Sequence, residues 1–330
     1  MMDVILTVSK FIGLMVIVTG VVQYTNYFTQ LVLATIQLMS SGKAARPDAL
    51  WRRYSDTVPP IAILVPAFNE EKTIVESLSS LMAMQYPNYE VVIINDGSSD
   101  GTLDVLIKAF GLKKTSRLYS PLAPHEPIRA IYRSPHQKRI VVIDKANGGK
   151  SDALNAGINV SRAPLFCCVD ADSVLEPDAL LRTVKPFMED PERTVAVGGT
   201  VRIANGSIIR NGQILKVQLP KKLLPLLQTV EYLRAFLMTR LAWSQLNTVL
   251  IISGAFGLFR RDAVLQVGGD EDVRLEATPG RMRRDAARKV ARGGAGQRVE
   301  AELQGLGGRH RHDPVFERER RVYAVVLEIE

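Results

Sequence analysis

Cysteine is nearly absent: the chain has two, Cys167 and Cys168, side by side in the apolar run "APLFCCVDADSV". Adjacent cysteines are poorly placed for a disulfide and offer no metal-ligand spacing, so both are read as buried strand residues in a reducing, cytosol-facing compartment. Two nucleotide motifs are also missing. No Gly-x-Gly-x-x-Gly follows an apolar run, which argues against a Rossmann dehydrogenase, and Asp144 stands where a Walker loop ending in Gly149-Lys150 needs glycine. A concentrated basic face is lacking too. The formal charge of +8 is spread over the length, with no stripe interleaved with aromatics, so nucleic acid is not the expected partner.

Charge itself is missing from Phe11 to Met39, 29 residues in all, where about 20 suffice to cross a bilayer as a helix. A tilted membrane span is expected, although Gln23, Asn26 and Gln30 make its second half less apolar. No cleavage site of the small-residue kind is clear. Lys43, Arg46, Arg52 and Arg53 follow the run against Lys10 and Asp3 before it, which puts everything after residue 40 in the cytoplasm by the positive-inside rule. At 46% hydrophobic content the remaining chain can form a real core.

What is present is a repeated order of apolar run, polar turn and amphipathic segment. Ile61–Val65, ending at Pro66, leads into a turn at Asn69 and then a helical pattern. Val91–Ile94 leads through Asp96–Gly101 to a helix from Thr102; "KRIVVIDKANGGKSDALNAG" and "APLFCCVDADSVLEPDALL" repeat the order, the last with Pro177 at a helix start. Almost continuously apolar strands alternating with helices imply a mostly parallel sheet covered on both faces, with ligands beyond the carboxyl ends of its strands. Asp96, Asp144 and the pair Asp170 and Asp172 all fall at such ends.

In an extended segment Asp170 and Asp172 face one side, roughly 7 Å apart. Oxygen-seeking cations such as Mg²⁺ or Mn²⁺ suit such carboxylates and keep positions open for phosphates. Lys145, Gly148-Gly149 and Lys150 sit beside a helix N-terminus, where amides and the dipole favour anions. The residues alone therefore point to a metal and a nucleotide diphosphate.

"VPAFNEE", "NDGSSDGT", "KANGGKSDALNAG" and "VDADS", in this order, resemble the family-two inverting glycosyltransferases of GT-A fold, and most nearly the membrane-bound processive branch of cellulose, chitin and hyaluronan synthases. The resemblance covers roughly residues 60 to 269. It implies a UDP-sugar donor, a polysaccharide or lipid-linked acceptor, a membrane location and a divalent metal. Asp96 would contact the uracil or ribose, Ala67 and Glu70 would line the nucleotide pocket, and Lys150 would lie near the donor. Asp172 would bind the metal directly, with Asp170 beside it and nearer the sugar. Residues 221–259 resemble the branch's amphipathic helix on the membrane interface, although on pattern alone a plain core helix fits equally well, and Ser253, Gly254 and Ala255 would leave room for an acceptor ring.

The pattern breaks after Gly268-Gly269. The family's acidic base stands several residues further on, whereas Glu271-Asp272 follow at once, so Asp272 is a candidate base by identity but not by spacing. No Gln-x-x-Arg-Trp occurs. Up to residue 269 there are 16 Arg and 13 Lys; from 270 there are 12 Arg and one Lys, in a setting rich in Gly and Ala. Two explanations stand: a reading-frame change near codon 270, or a natural basic tail, in which His310 and His312 belong to an exposed charged segment. The expected organisation is an anchor at 1–40, a basic linker at 41–60, the nucleotide-sugar half at 61–205, an acceptor side at 206–269 and an atypical Arg/Gly/Ala-rich tail at 270–330, with disorder as one reading of it. A non-catalytic nucleotide-sugar-binding membrane protein and a soluble nucleotidyltransferase are the competing functions.

Overall fold

The computed structural model describes residues 2–40, 58–199, 208–210, 213–216, 218–239, 242, 252, 255–266 and 321–324. Helix α1 (Met2–Ser40) comes first, and its apolar window Val4–Ile36 is long and apolar enough to cross a membrane, with no protein cover over its most hydrophobic stretch. Its polar second half has a local reason. Gln30 is buried, and its Oε1 accepts a hydrogen bond from the Thr239 hydroxyl at 3.2 Å, while the Arg234 guanidinium lies 5.7 Å from the Tyr27 ring centre. Both partners come from one turn-like π-helical segment, Leu233–Thr239, that continues helix α6 (Leu223–Tyr232).

The remaining elements follow, with the expected alternation interrupted by the two further strands β3 and β4: β1 (Ile61–Ala67), α2 (Ile74–Met82), β2 (Tyr89–Asp96), α3 (Thr102–Phe110), β3 (Lys113–Thr115), β4 (Ile128–Arg133), β5 (Ile140–Lys145), α4 (Lys150–Val160), β6 (Leu165–Val169), α5 (Ala179–Glu189) and β7 (Thr194–Gly198). A hairpin of β8 (Ile208–Arg210) and β9 (Gln213–Lys216) stands apart from the main sheet; after α6 come β10 (Phe256–Arg260), α7 (Arg261–Gln266) and β11 (Arg321–Ala324).

The main sheet runs β11-β7-β10-β6-β1-β2-β5-β4-β3. Its centre, β6-β1-β2-β5, is parallel, while β10 enters antiparallel between β6 and β7, and β4 and β3 close the other edge antiparallel. Apolar side chains cover both faces. Ile63, Val91 and Ile93 pack with α2, α3 and α5; Leu64, Ile94 and Ile143 pack with α4 and α7. Each such side chain removed from water contributes about 1.5–3 kcal/mol. On the second face α4 lies close, because a Cβ at Gly157 would come within 3.1 Å of Leu64 and 3.2 Å of Ile94.

Three local expectations are corrected. Strand β1 does not stop at Pro66 but continues to Ala67: β6 pairs with β1 only as far as Leu64, so beyond it the missing proline N–H costs no ladder bond. Helix α5 starts at Ala179 rather than Pro177, whose carbonyl accepts the Gln85 N–H at 2.7 Å. Strand β6 ends at Val169, and Asp170 to Ser173 is a turn closed by the Ser173 N–H on the Asp170 carbonyl at 3.0 Å, so Asp170 and Asp172 do not lie on an extended segment. Cys167 and Cys168 are free thiols buried in β6, and burial pushes the Cys167 thiol well up, which makes it a packing residue.

Candidate active site

Because β6, β1, β2 and β5 are neighbours and parallel, their carboxyl ends fall on one edge, and strand spacing puts the four following turns within roughly 15 Å. The turns after β1 and β2 are braced to each other. Asn69 adopts a left-handed conformation at φ 59°, and its Oδ1 accepts the Ser99 N–H at 2.9 Å while its own N–H donates to Ser98 Oγ at 3.0 Å. Next to it the Glu70 N–H donates to Thr102 Oγ1 at 2.9 Å, the Glu71 N–H to Asp100 Oδ2, and the Gly101 N–H to Glu71 Oε2 at 3.2 Å. Burial pushes the Asp100 carboxyl up, but hydrogen bonds from the Thr102 hydroxyl and amide and from the Glu71 amide outweigh it and hold it below the usual carboxylate range. Glu70 is partly buried, its Oε2 accepting the Thr73 hydroxyl at 2.6 Å, and Ala67 is buried at the end of β1.

Asp96 is the most enclosed of the expected site carboxylates. Its Oδ1 accepts from Lys145 Nζ at 2.6 Å and from the Gly148 N–H at 3.1 Å; its Oδ2 accepts from the Gly149 N–H at 2.7 Å. The Asn147 side chain closes on the Asp96 carbonyl at 2.8 Å. The amides that precede α4 are therefore turned to an anion supplied by the chain itself. Gly97 makes the contact possible: its φ is +69°, and a Cβ there would lie 2.7 Å from the backbone nitrogen of Asn147. On the opposite face of the same strand ends, Asn95 Nδ2 donates to Asp144 Oδ1 at 2.8 Å, so Asp144 is buried and occupied.

Lys150, the first residue of α4, forms an ion pair with Asp170 in the turn after β6, both partly exposed. Asp172 is exposed in the same turn. Among the described residues no three His, Cys, Asp or Glu side chains gather into a cation cage. Asp272, Ser253 and Gly254 lie outside the described residues.

Two features escaped the sequence reading. One is Asp152, whose Oδ1 meets Lys145 Nζ at 2.5 Å and whose Oδ2 accepts the Glu126 N–H at 2.8 Å. The other is the segment Pro121–Pro127, held against α4 by a row at helical spacing. Asn155 Nδ2 donates to the Pro124 carbonyl at 2.9 Å, and Asn159 takes the N–H groups of Leu122 and Ala123 while donating to the Ala123 carbonyl at 2.7 Å. Asp152, Asn155 and Asn159 are all buried; three polar residues at i, i+3 and i+7 on a covered helix are the signal that could have found the strap.

Residues 62–268 match the family model described as Glycosyl transferase family 2. The match ends where the Arg, Gly and Ala bias begins. The poly-beta-1,6-N-acetyl-D-glucosamine synthase of Staphylococcus epidermidis is 30% identical over 208 residues, covering 63% of this chain and 41% of that protein. The synthase of the same name from Staphylococcus aureus is 30% identical over 214 residues, covering 64% and 42%. The chain thus spans about two fifths of the length of these relatives. A mannosyltransferase of Pyrobaculum calidifontis, solved with GDP-Man and Mn²⁺, aligns over 73% of this chain and 59% of its own at 20% identity and a TM-score of 0.43. With the match covering the turns after β1, β2, β5 and β6, the chain belongs to glycosyl transferase family 2.

Proposed function

We propose that the chain transfers a sugar from a UDP-sugar, with inversion at the anomeric carbon, to a growing polysaccharide or glycolipid at the cytosolic face of the cell membrane, where α1 anchors it. The observation that carries this reading is the convergence of four turns at the carboxyl ends of adjacent parallel strands in a family-two chain. The polysaccharide synthases among its relatives support the acceptor class. An exposed apolar row on α6, Leu223, Leu224, Leu227 and Val230, beside Lys221 and Lys222, supports an interfacial position for the acceptor side.

Ala67 and Glu70 border the nucleotide, with Glu70 on the braced turn. An ionised carboxylate accepts about four hydrogen bonds; three on Asp96 come from Lys145, Gly148 and Gly149, which leaves capacity on Oδ2 for the base or ribose. Lys150 offers its ammonium to the diphosphate from the start of α4. A hard divalent cation fits the oxygens of Asp172 and Asp170, since Mg²⁺ and Mn²⁺ are commonly held by one or two carboxylates with phosphates completing the shell. Bound there, it would neutralise the charge that develops on the departing UDP. Asp172 would hold it directly; Asp170, shared with Lys150, would orient both groups. The acceptor hydroxyl attacks from the opposite side of the sugar, and Asp272 is the proposed base that takes its proton.

The test is incorporation of radiolabelled sugar into polymer or glycolipid by membranes carrying this chain, beside a chain whose reading frame is restored past residue 270. Incorporation by this chain, dependent on the UDP-sugar, supports transfer; incorporation by the frame-restored chain alone makes this chain an impaired fragment of such an enzyme and removes Asp272 as its base. A second reading is a nucleotide-sugar-binding membrane protein; UDP-sugar binding without turnover in both chains would establish it instead.

A further inference from the structure

Among the described residues Lys145 is one of the largest fully buried side chains, at 0% exposure. A buried ammonium is costly unless paired and hydrogen-bonded. Its Nζ meets Asp96 Oδ1, Asp152 Oδ1 and the carbonyl of Ala146. Around this one cation four separate pieces of chain meet: Asp96 ends β2, Lys145 ends β5, Asp152 lies in the first turn of α4, and Glu126 belongs to the strap and donates its N–H to Asp152. The Gly148 and Gly149 amides also donate to Asp96.

Such a triad is poorly explained as a stabiliser, because apolar side chains of similar volume often serve as well or better in a buried site. What an apolar residue cannot do is hold two carboxylates at fixed positions. We propose that Lys145 is a positioning residue for nucleotide-sugar binding: it draws Asp96 onto the Gly148 and Gly149 amides and pins Asp152, fixing the carboxylate at the nucleotide and the turn that carries Lys150. The role of Asp96 in this statement rests on the UDP-sugar reading given above. The hold of Lys145 on the turn does not.

The experiment uses the full chain and the variants Lys145→Met, Asp152→Asn and the double variant, with two measurements. The first is hydrogen exchange over residues 146–152 against β1 and β6, without nucleotide. The second is UDP affinity. Losing a charge-assisted contact is worth about tenfold to a hundredfold; Lys145→Met should accelerate exchange of 146–152 by that order, leave β1 and β6 protected, and weaken UDP binding by a similar factor. Adding Asp152→Asn should recover part of the affinity, since it removes a carboxylate left without its cation. Unchanged exchange and affinity in Lys145→Met overturns the proposal. So does loss of protection throughout β1 and β6 in both the single and the double variant, because the cluster would then hold the fold rather than the turn. If the unaltered chain itself fails to bind UDP, the donor reading falls while the exchange data still judge the hold of Lys145 on the turn.

Discussion

Asp96 and Lys145 are register partners on the neighbouring parallel strands β2 and β5, and their side chains meet at 2.6 Å on the face that α4 covers. The contact converts two strand ends into one unit. With Asp96 filling the Gly148 and Gly149 amides, the diphosphate of the proposed donor would be left to Lys150 and the turn after β6.

Replacing Asp96 by Asn tests this unit. The amide keeps one acceptor and puts an NH₂ group against an ammonium or an N–H, leaving a buried donor unmatched at a cost of about 1–3 kcal/mol. For a domain of this size each kcal/mol shifts Tm by roughly 2–4 °C. A thermal melt in detergent should show a fall of several degrees, and titration should show UDP affinity reduced by more than the melt alone accounts for.

Two glycines should respond differently to alanine. At Gly97 the new Cβ would meet the Asn147 nitrogen at 2.7 Å on top of an unfavourable φ of +69°, whereas at Gly149 φ is +88° but nothing lies within 4 Å. Gly149→Ala should cost about 1–3 kcal/mol from the backbone alone, because φ +88° with ψ 174° is an extended region that essentially only glycine adopts. Gly97→Ala should cost more and shift the 146–149 turn, weakening UDP binding; equal melts for the two variants would contradict the packing of Gly97 on Asn147.

How far these features were legible depended on burial and length. The central strands were legible because a parallel strand covered on both faces is apolar at nearly every position, as in Ile61–Val65 and Val91–Ile94. Strands β3 and β4 were not: Lys113-Lys114-Thr115 is three residues at a solvent-exposed edge, and "IRAIYR" carries its arginines outward. In "KANGGK" the local sequence does not separate Lys145 from Lys150, since both stand beside a helix N-terminus that favours anions. The place of Lys145 was still readable: a charge that continues Val141 and Ile143 on one strand face points into the cover of α4, where only an internal anion can meet it. The turn at Asp170 was hidden because local sequence does not say where neighbouring strands stop pairing.

The strap gives a prediction remote from any charge. Asn159 satisfies three backbone groups of Leu122 and Ala123, so Asn159→Ala leaves buried polar groups unpaired at about 1–3 kcal/mol. Hydrogen exchange at 121–127 should rise selectively, with β2 and β5 unaffected. Exchange unchanged across the strap would mean that the proline-rich segment holds itself.

Acid should loosen the brace between the first two turns. The folded Asp100 carboxyl is more acidic than the unfolded one, so its contribution is fully present above the unfolded value and is lost as pH falls through the folded value. Exchange at the Glu71 and Thr102 amides, corrected for intrinsic rates, should therefore rise as pH drops below the ordinary aspartate range. Asp100→Asn should flatten that dependence; a variant that keeps the same profile would assign it to another group.

Asp170 and Asp172 share one turn but should fail differently. Asp172 is exposed and proposed as the direct metal ligand, so Asp172→Ala should remove the Mn²⁺-dependent part of UDP affinity, about tenfold to a hundredfold for a lost charge-assisted contact, and leave metal-free binding alone. Asp170 is tied to Lys150, so Asp170→Asn releases an ammonium towards the diphosphate while weakening the metal site. Its metal-free UDP affinity should equal or exceed that of the unaltered chain even as Mn²⁺ helps less. The two carboxylates are thus separable by titrating UDP with and without Mn²⁺. Identical behaviour of the two variants would mean that the Lys150 contact does not govern the charge available to the nucleotide.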